Sequence, residues 1–419
     1  MGDVVRSEGE AFLQRHPMTG YQKYVFRRLG SCRSGMLGYH MVICDHCRTI
    51  EWKPIRCSNR HCPDCGGSES YRWVSARRSE LLGCSYYQIN AQLPRLLRGL
   101  ARENSSAVYN LLYRASRQAI VETMDLGTVE RPMPGLLQNL HTWNRSAEYL
   151  PHVHNIVGGV GWLHREQRWA FRQDGASPYD VEKIGPVFLR KLVSGLRSLY
   201  KRGELSFHYS CNRELSEADT FSGLMDQVLS SKPRIWSGRP HGGKEQLLRY
   251  FARSQHQVAL RSIRFERLEN RELTYSWTTS KGLVRRKTVR AEQFLLKYRA
   301  HILPSGFNRI RRAGMLSPRK IKMLRDLGQL ECPTPPGLAE DSAESEGDES
   351  TTAVESAPVC GHCRKGRTLL VTTLRDVRDD RRIPPRCNGP PGLTDDGRQM
   401  AEEFLDRELK QRRLNGVEQ

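Results

Sequence analysis

Long apolar runs are absent from this chain of 419 residues, and that absence excludes an integral membrane protein. A membrane-spanning helix needs about 18 or more consecutive apolar residues, whereas the runs here are only a few residues long. Residues Met1–His16 lack the apolar centre of a secretion signal, so we expect a cytoplasmic protein. The sequence also contains no G-x4-G-K-[S/T] phosphate loop and no G-x-S-x-G element. We therefore expect no ATP-driven motor.

Negative charge is scarce relative to positive charge. Lysine and arginine number 67 against 46 aspartate and glutamate residues, which gives a formal net charge of +21. An excess of this size favours a polyanionic partner, most often nucleic acid. Basic stretches occur at Arg261–Tyr275, Arg285–Arg290 and Phe307–Arg312. They suit phosphate contacts, and the aromatic residues of the first and third stretches also suit base stacking. The alternative for each stretch is a basic face that is only solvated.

Several of the twelve cysteines stand in Cys-x-x-Cys pairs. In a reducing compartment such pairs are more often metal ligands than disulfides. Two pairs that are close in sequence can each place two thiolates on one ion and so complete a tetrahedral zinc site of the zinc-ribbon type. The expected ligands are Cys44, Cys47, Cys62 and Cys65. A redox pair or buried free thiols is the alternative interpretation.

Other donors leave the ligand assignment open. Cys57 and His61 compete for places in this site. A second metal near the N-terminus is a further alternative, with donors His40, His46 and Cys32. A second zinc near the C-terminus is also open, with donors Cys332, Cys360, Cys363 and Cys387.

A His-x-His pair follows Pro151. Residues two apart on a strand point to the same face, so His152 and His154 present two imidazoles side by side, as a divalent-metal site requires. His141, on the preceding predicted strand, would lie across the hairpin and is the expected third ligand. Glu148 in the connecting loop is the second choice. Two surface histidines without a metal are the alternative.

Tyr250 is a candidate nucleophile on a predicted helix of about residues 244–254. A tyrosine has a pKa near ~10, and it attacks phosphorus only with the help of a base or of a metal-polarised phosphate. Arg249 and Arg253 flank it and are placed to hold phosphates. A helical tyrosine that only packs is the alternative.

Hydrophobic periodicity predicts an α+β fold in which helices alternate with short strands. The predicted strands are residues 39–43, 86–92, 136–143 and 152–157, with Gly158-Gly159 ending the last of them, and a hairpin at 258–278. The predicted helices are residues 17–30, 68–82, 105–124 and 292–302. A further predicted helix has Pro186 in its first turn and Gly203 just past its end. Pro333–Val359 has seven acidic and no basic residues, and this composition is typical of a disordered linker.

Five motifs follow one another in a characteristic order. They are CSNRHCPDC at 57–65, Leu93-Pro94, His141-Thr142-Trp143 with Pro151–His154, GGKEQLLRY at 242–250 and LPSGFNRIR at 303–311. Over about residues 10–330, this set resembles the zinc-binding, rolling-circle insertion-sequence transposases of bacteria. The nuclease core of that family is of the HUH (His-hydrophobic-His) class.

The resemblance implies a domain organisation and a set of metals. The implied parts are an N-terminal zinc-binding domain at 10–82, an HUH tyrosine nuclease core with a central antiparallel sheet at 83–260, a basic DNA-binding part at 261–331, and an acidic tail, disordered or zinc-binding, at 332–419. The implied metals are a structural Zn²⁺ and a catalytic Mg²⁺ or Mn²⁺. The catalytic ion would be held by His152, His154 and His141.

The resemblance also implies a reaction. Tyr250 would cleave single-stranded DNA at the transposon ends and at the target, and would form a 5′-phosphotyrosine intermediate that is later rejoined. Arg309 and Arg311 would join Arg249 and Arg253 as DNA contacts. Strand separation would come from a host helicase or the replication machinery, and the protein would act at the bacterial nucleoid.

One departure from the family pattern bears on the reaction cycle. A second tyrosine typically follows the first by four residues, and here that position is Ser254. Two alternatives to the transposase stay open. One is a plasmid replication initiator or relaxase with the same chemistry, and the other is a catalytically decayed, zinc-dependent DNA-binding protein.

Overall fold

The computed structural model describes residues 1–65, 80–144, 146–238, 247, 263–279, 282–330, 358–374 and 394–414. Its helices are α1 Gly2–Arg15, α2 Gly20–Gly30, α3 Arg98–Glu103, α4 Ser105–Thr123, α5 Val181–Lys201, α6 Ala218–Ser230, α7 Ala291–Arg299, α8 Pro318–Asp326 and α9 Asp395–Leu414. Its strands are β1 Tyr39–Cys44, β2 Ile50–Pro54, β3 Tyr86–Gln92, β4 Met133–Trp143, β5 Tyr149–Leu163, β6 Arg168–Phe171, β7 Ile235–Ser237, β8 Ile263–Glu269, β9 Glu272–Thr278, β10 Val284–Arg290, β11 Ile310–Gly314 and β12 Thr368–Leu374.

A six-stranded sheet lies at the centre of the fold. Its strand order is β11-β4-β5-β3-β7, and β6 pairs with the far end of β5. Each of these pairings is antiparallel. The predicted α+β class with a central antiparallel sheet is therefore confirmed.

Helices α4 and α5 cover one face of this sheet. Leu112 of α4 and Leu192 of α5 share a hydrophobic core with Val153 of β5. The prediction that Pro186 lies in the first turn of α5 is wrong, because the helix begins five residues before Pro186. The Asp180 side chain caps it there by accepting the Glu182 N–H at 2.9 Å. Pro186 lies inside the helix instead.

The glycine pair in β5 does not end the strand, contrary to the prediction. Strand β5 continues through Gly158 and Gly159 to Leu163. A Cβ atom on Gly159 would lie 2.9 Å from the Tyr87 ring, and one on Gly158 would lie 3.3 Å from the Cys84 sulfur. The two glycines therefore allow close packing within the sheet instead of ending the strand.

The N-terminal helices share a second core with a later part of the chain. Phe12 of α1 and Phe26 of α2 pack with Tyr275 of β9 and with Phe294 and Tyr298 of α7. Strands β8, β9 and β10 form a three-stranded antiparallel sheet beside α7. The predicted hairpin and the helix near 292–302 are both present in this region, within the described residues.

A third sheet joins two distant parts of the chain. Strand β12 pairs with β1, and β1 pairs with β2, in the order β12-β1-β2. Helix α9 packs on this sheet through Ala401 and Leu405, which contact Met41 and Ile43. The residues after the acidic stretch are thus part of an N-terminal structure.

Several predicted segments lie outside the described residues. They are most of the basic helix at 68–82, the helix at 244–254 apart from Leu247, and the acidic stretch up to residue 357. No helix in the described part of the chain is long and apolar enough to cross a membrane.

Candidate functional site

Three histidines meet on one face of the central sheet. The register of β4 and β5 places His141 opposite His152 and Asn139 opposite His154. Because side chains alternate along a strand, the three imidazoles share a face. Their ligand nitrogens lie within 4.8 Å of one another. The structure thus brings together the three histidines that the sequence singled out.

Burial keeps these imidazoles neutral, and a hydrogen bond sets the tautomer of one of them. Nδ1 of His152 lies 2.7 Å from the carbonyl oxygen of Leu150, so Nδ1 donates its proton there and Nε2 carries the lone pair. Burial lowers the pKa of His152 to about 4. Burial likewise holds the pKa of His141 and that of His154 well below the ordinary histidine value. All three side chains are therefore in the form that binds a cation at neutral pH.

Strand β3 adds three amides to the same face. Gln88, Asn90 and Gln92 alternate along it, and the register places Asn90 opposite His154 and Gln92 opposite His152. The side-chain amide of Gln88 lies 3.1 Å from Nδ1 of His154. Nε2 of Gln92 is buried and has no hydrogen-bond partner in the described part of the chain. An unsatisfied amide beside neutral imidazoles fits a site that is completed by an ion and its other ligands.

Arg309 places a positive charge beside the histidines. Its Nε donates to the Asn139 side chain at 3.2 Å and to the Leu140 carbonyl at 3.1 Å. Its guanidinium lies 5.1 Å from the centre of the Trp143 ring, which in turn stacks on His141 at 5.0 Å. Burial lowers the pKa of Arg309 to about 10, so the group stays charged at neutral pH. A phosphate at the histidines would therefore meet a fixed cation.

His301 anchors the turn between β4 and β5, and no motif in the sequence indicates this role. Nδ1 of His301 lies 3.2 Å from the Thr142 hydroxyl, and Nε2 lies 3.1 Å from the Ala147 carbonyl. Glu148, the second choice for the third ligand, instead forms an ion pair with Lys297 at 3.2 Å. Glu148 therefore does not belong to the group of candidate ligands.

Two of the sequence motifs contact each other directly. The Arg60 guanidinium donates to the carbonyls of Phe307 and Pro304 at 2.8 and 3.0 Å. The Leu303 N–H donates to Nε2 of His61 at 3.1 Å. Burial lowers the pKa of His61 to about 3, which keeps this nitrogen available as an acceptor. The cysteine-rich segment is thereby joined to the loop that leads into Arg309.

Four cysteines near the N-terminus converge on one point. Their sulfurs lie within 4.8 Å of one another, and the residues are Cys32, Cys57, Cys62 and Cys65. The Cys32 sulfur lies 3.5 Å from that of Cys65 and 3.7 Å from that of Cys62. Zinc–sulfur bonds of about 2.3 Å in a tetrahedron separate the sulfurs by about 3.8 Å, whereas a disulfide separates them by about 2.05 Å. The group fits a structural zinc ion and does not fit a disulfide.

This grouping corrects the predicted zinc ligands. Cys62 and Cys65 lie in the group just described, but Cys44 and Cys47 lie in a separate group with Cys360 and Cys363. The turn of Cys44 and Cys47 joins β1 to β2 and faces the residues before β12, because β12 pairs with β1. Cys57, which competes for a place in the predicted site, and Cys32, a predicted donor to a second metal, complete the first group. His61 is a hydrogen-bond acceptor, and His40 contacts the Thr373 hydroxyl at 2.9 Å.

The structure describes only some of the other predicted site residues. Tyr250, Arg249, Arg253 and Ser254 lie outside the described residues. Leu247 is buried in a core with Leu137 and Ile156, which alternate onto the histidine-bearing face of the sheet. The Arg311 guanidinium lies 4.0 Å from the centre of the Tyr113 ring and donates to the Asn110 side chain at 2.5 Å.

We predict that Cys62→Ser releases one zinc ion and unfolds the surrounding N-terminal segment, because metal binding supplies folding free energy at such sites. Cys211→Ser is the matched control, since Cys211 is exposed and lies outside both cysteine groups. Metal analysis and circular dichroism of the purified proteins would measure both effects. A well-folded parent protein without zinc would contradict the prediction.

The comparisons with known proteins agree with this geometry. A family model described as "Putative transposase" matches residues 135–323, which include the three histidines and Arg309. A second model, described as "Transposase zinc-binding domain", matches residues 4–90, which include all four cysteines of the first group. No solved structure matches the chain.

Two relatives extend this result. The chain is 28% identical over 398 residues to a protein of Sinorhizobium fredii named "Putative transposase y4qJ", and the match covers 92% of this chain and 97% of that protein. It is 26% identical over 149 residues to the transposase for insertion sequence element IS801 of Pseudomonas savastanoi pv. phaseolicola, with 33% of each chain covered. Taken with the two family models, these relatives show that the chain belongs to the IS91-type family of zinc-binding insertion-sequence transposases.

Proposed function

We propose that this transposase nicks and rejoins single-stranded DNA at transposon ends through a 5′-phosphotyrosine intermediate, in a rolling-circle reaction. The observation that carries the proposal is the convergence of His141, His152 and His154 beside Arg309 on one face of the sheet. Three neutral imidazoles and a fixed cation suit a divalent metal and a phosphate. We accordingly assign the central sheet and its helices to an HUH-type nuclease core.

Tyr250 is the proposed nucleophile. It follows Leu247 by three residues, and Leu247 is buried against the histidine-bearing face, so the chain passes close to the proposed metal site. The phenol oxygen attacks the phosphorus, the bond to the 3′ oxygen breaks, and a free 3′-OH remains. The phenol gives up its proton in this step, and the leaving oxygen takes one up. The phosphotyrosine keeps the energy of the phosphodiester, so a 3′-OH can rejoin the strand without ATP.

The remaining residues of the site would bind the metal ion and orient the phosphate. His141, His152 and His154 would hold a Mg²⁺ or Mn²⁺ ion, with Gln92 facing the same space. When bound, such an ion polarises the phosphoryl oxygens of the substrate. Arg309 contacts the negative charge of the phosphate and is held in place by Asn139.

The basic surface is assigned to DNA binding. Strand β10 carries four basic residues in a sequence of seven and is exposed along almost its whole length. Together with Arg311 and with Arg249 and Arg253, it would contact the phosphates of single-stranded DNA at the element ends and the target. Strand separation would come from the host helicase or replication machinery, since the sequence contains no phosphate-loop motor.

Ser254 limits the number of covalent DNA attachments that one subunit can form. A serine has no phenol, and no base is evident beside it in the sequence, so we assign a single covalent attachment to each subunit. A cycle with two alternating attachments would need a second subunit or a second binding event.

We predict that Mn²⁺ binds to one site in the parent protein and that His152→Ala removes this binding. His208→Ala is the control, because His208 is exposed and lies outside the histidine group. Since burial lowers the pKa of His152 to about 4, the affinity should change little between pH 7.5 and 6. Ordinary histidines with a pKa of about 6.5 would lose affinity tenfold or more over that range. Electron paramagnetic resonance of added Mn²⁺ measures both quantities, and a site unaffected by His152→Ala would contradict the assignment.

We predict that Tyr250→Phe abolishes the covalent protein–DNA adduct while folding and DNA binding persist, because the change removes one oxygen. The measurement incubates a labelled single-stranded end oligonucleotide with Mn²⁺ and separates the products on a denaturing gel. Tyr209→Phe is the matched control at an exposed tyrosine, and Ser254→Ala should also be nearly silent. An adduct that survives boiling in detergent in Tyr250→Phe would show that another residue is the nucleophile. A parent protein that forms no adduct with any divalent metal would favour the non-catalytic DNA-binding alternative.

A further inference from the structure

We propose that Cys44, Cys47, Cys360 and Cys363 bind a second structural zinc ion, which closes a zinc ribbon between the two ends of the chain. The four sulfurs lie within 4.8 Å of one another. Two of them, Cys360 and Cys363, lie far outside the region that matches the zinc-binding family model. The proposed site therefore differs both from the first cysteine group and from the ligand sets that the sequence alone suggested.

The distances fit one tetrahedral ion. The Cys44 and Cys363 sulfurs are 3.7 Å apart, and the Cys47 and Cys360 sulfurs are 3.8 Å apart. Tetrahedral zinc–thiolate bonds of about 2.3 Å place the sulfurs about 3.8 Å apart. A disulfide would need about 2.05 Å. Each pair joins one cysteine from each half of the site, as expected when two Cys-x-x-Cys turns face a common ion.

The two cysteine turns have the same sequence pattern and the same backbone. Both read Cys-x-His-Cys-Arg, at 44–48 and at 360–364. The arginine that ends each turn has a left-handed backbone, with φ of 58° at Arg48 and 56° at Arg364. Its N–H donates to the carbonyl of the first cysteine in both turns, at 3.1 and 3.0 Å. A left-handed conformation is costly for arginine, and its repetition indicates two turns built for one purpose.

Backbone amides point at the sulfurs in both turns. The N–H groups of His46 and Cys47 donate to the Cys44 sulfur at 3.4 Å. The N–H group of Gly366 donates to the Cys363 sulfur, also at 3.4 Å. Such bonds favour the thiolate over the thiol, and the thiolate is the form that binds zinc.

The second turn is shaped to fit the first. The Asp45 N–H donates to the Arg367 carbonyl at 3.0 Å, and the Arg367 N–H donates to the Asp45 side chain at 2.6 Å. A Cβ atom on Gly366 would lie 2.6 Å from the Cys44 sulfur and 2.4 Å from the His46 Cβ atom. Only glycine allows this approach, so the two turns are complementary at the level of the backbone.

The proposed ion would hold a large closed loop. Cys47 and Cys360 are 313 residues apart in sequence. Between them lie Cys57, Cys62 and Cys65 of the first cysteine group, the central sheet and the acidic stretch. The ion would fix β12 to β1 and bring α9 onto the sheet. The residues after the acidic stretch then belong to the N-terminal structure, and Cys332 and Cys387 are not required.

The test is a zinc count on the full-length chain. We expect two zinc ions per parent chain, and we expect Cys360→Ser combined with Cys363→Ser to lose one of them. Cys332→Ser combined with Cys387→Ser is the matched control and should keep both. A Cys360/Cys363 double variant that holds as much zinc as the parent, or a control that loses an ion, would overturn the proposal.

Cobalt substitution keeps the test decisive when the double variant fails to fold. Chelated parent protein is titrated with Co²⁺, whose tetrahedral thiolate complexes absorb strongly in the visible range. Saturation at two equivalents is expected. Saturation at one equivalent would overturn the proposal, because the first cysteine group accounts for that one.

Discussion

The contact of Arg60 and His61 with the loop at 303–307 is the interaction on which the arrangement of the site depends. Arg60 binds two carbonyl oxygens of the loop, and His61 accepts the N–H of Leu303. The loop leads directly into Arg309 and then into β11, the neighbour of the strand that carries His141. A shift of this contact would therefore move Arg309 relative to the histidines.

The first cysteine group fixes the other side of this contact. Asn59, Arg60 and His61 lie between Cys57 and Cys62, so an ion bound by those cysteines limits the conformations of the three residues. The Tyr298 hydroxyl adds a hydrogen bond of 2.5 Å to the carbonyl of His61. In this arrangement a structural metal acts on the candidate active site without touching it, because it fixes the residues that hold the Arg309 loop.

The local parts of the site could be predicted from the sequence. The two-residue spacing of His152 and His154 depends only on the geometry of a strand, and His141 follows from the pairing of adjacent strands. The amides of β3 could also be predicted from the sequence, because Gln88, Asn90 and Gln92 alternate with apolar residues and so share one face of the strand. The role of His301 could not, because its partners Thr142 and Ala147 are about 150 residues away in sequence.

The distant parts could not be predicted in this way. Cys-x-x-Cys spacing indicates which cysteines act together locally, but it does not indicate which two pairs share an ion. Proximity in sequence therefore predicts Cys62 and Cys65 as the partners of Cys44 and Cys47, whereas the structure places Cys360 and Cys363 there. The glycine pair of β5 predicts a strand end for a similar reason, because its packing against Tyr87 and Cys84 is a tertiary contact that the local sequence does not reveal.

The most direct test of this account is the single-turnover rate of adduct formation in Arg60→Ala at saturating single-stranded DNA. Zinc content should equal that of the parent, because no cysteine is changed, while the rate should fall by about tenfold or more, as expected when roughly 1.4 kcal/mol of positioning is lost. Arg56→Ala, at an exposed arginine of the same segment, should retain the parent rate. An Arg60→Ala protein that forms the adduct at the parent rate would contradict the claim that this contact positions the site.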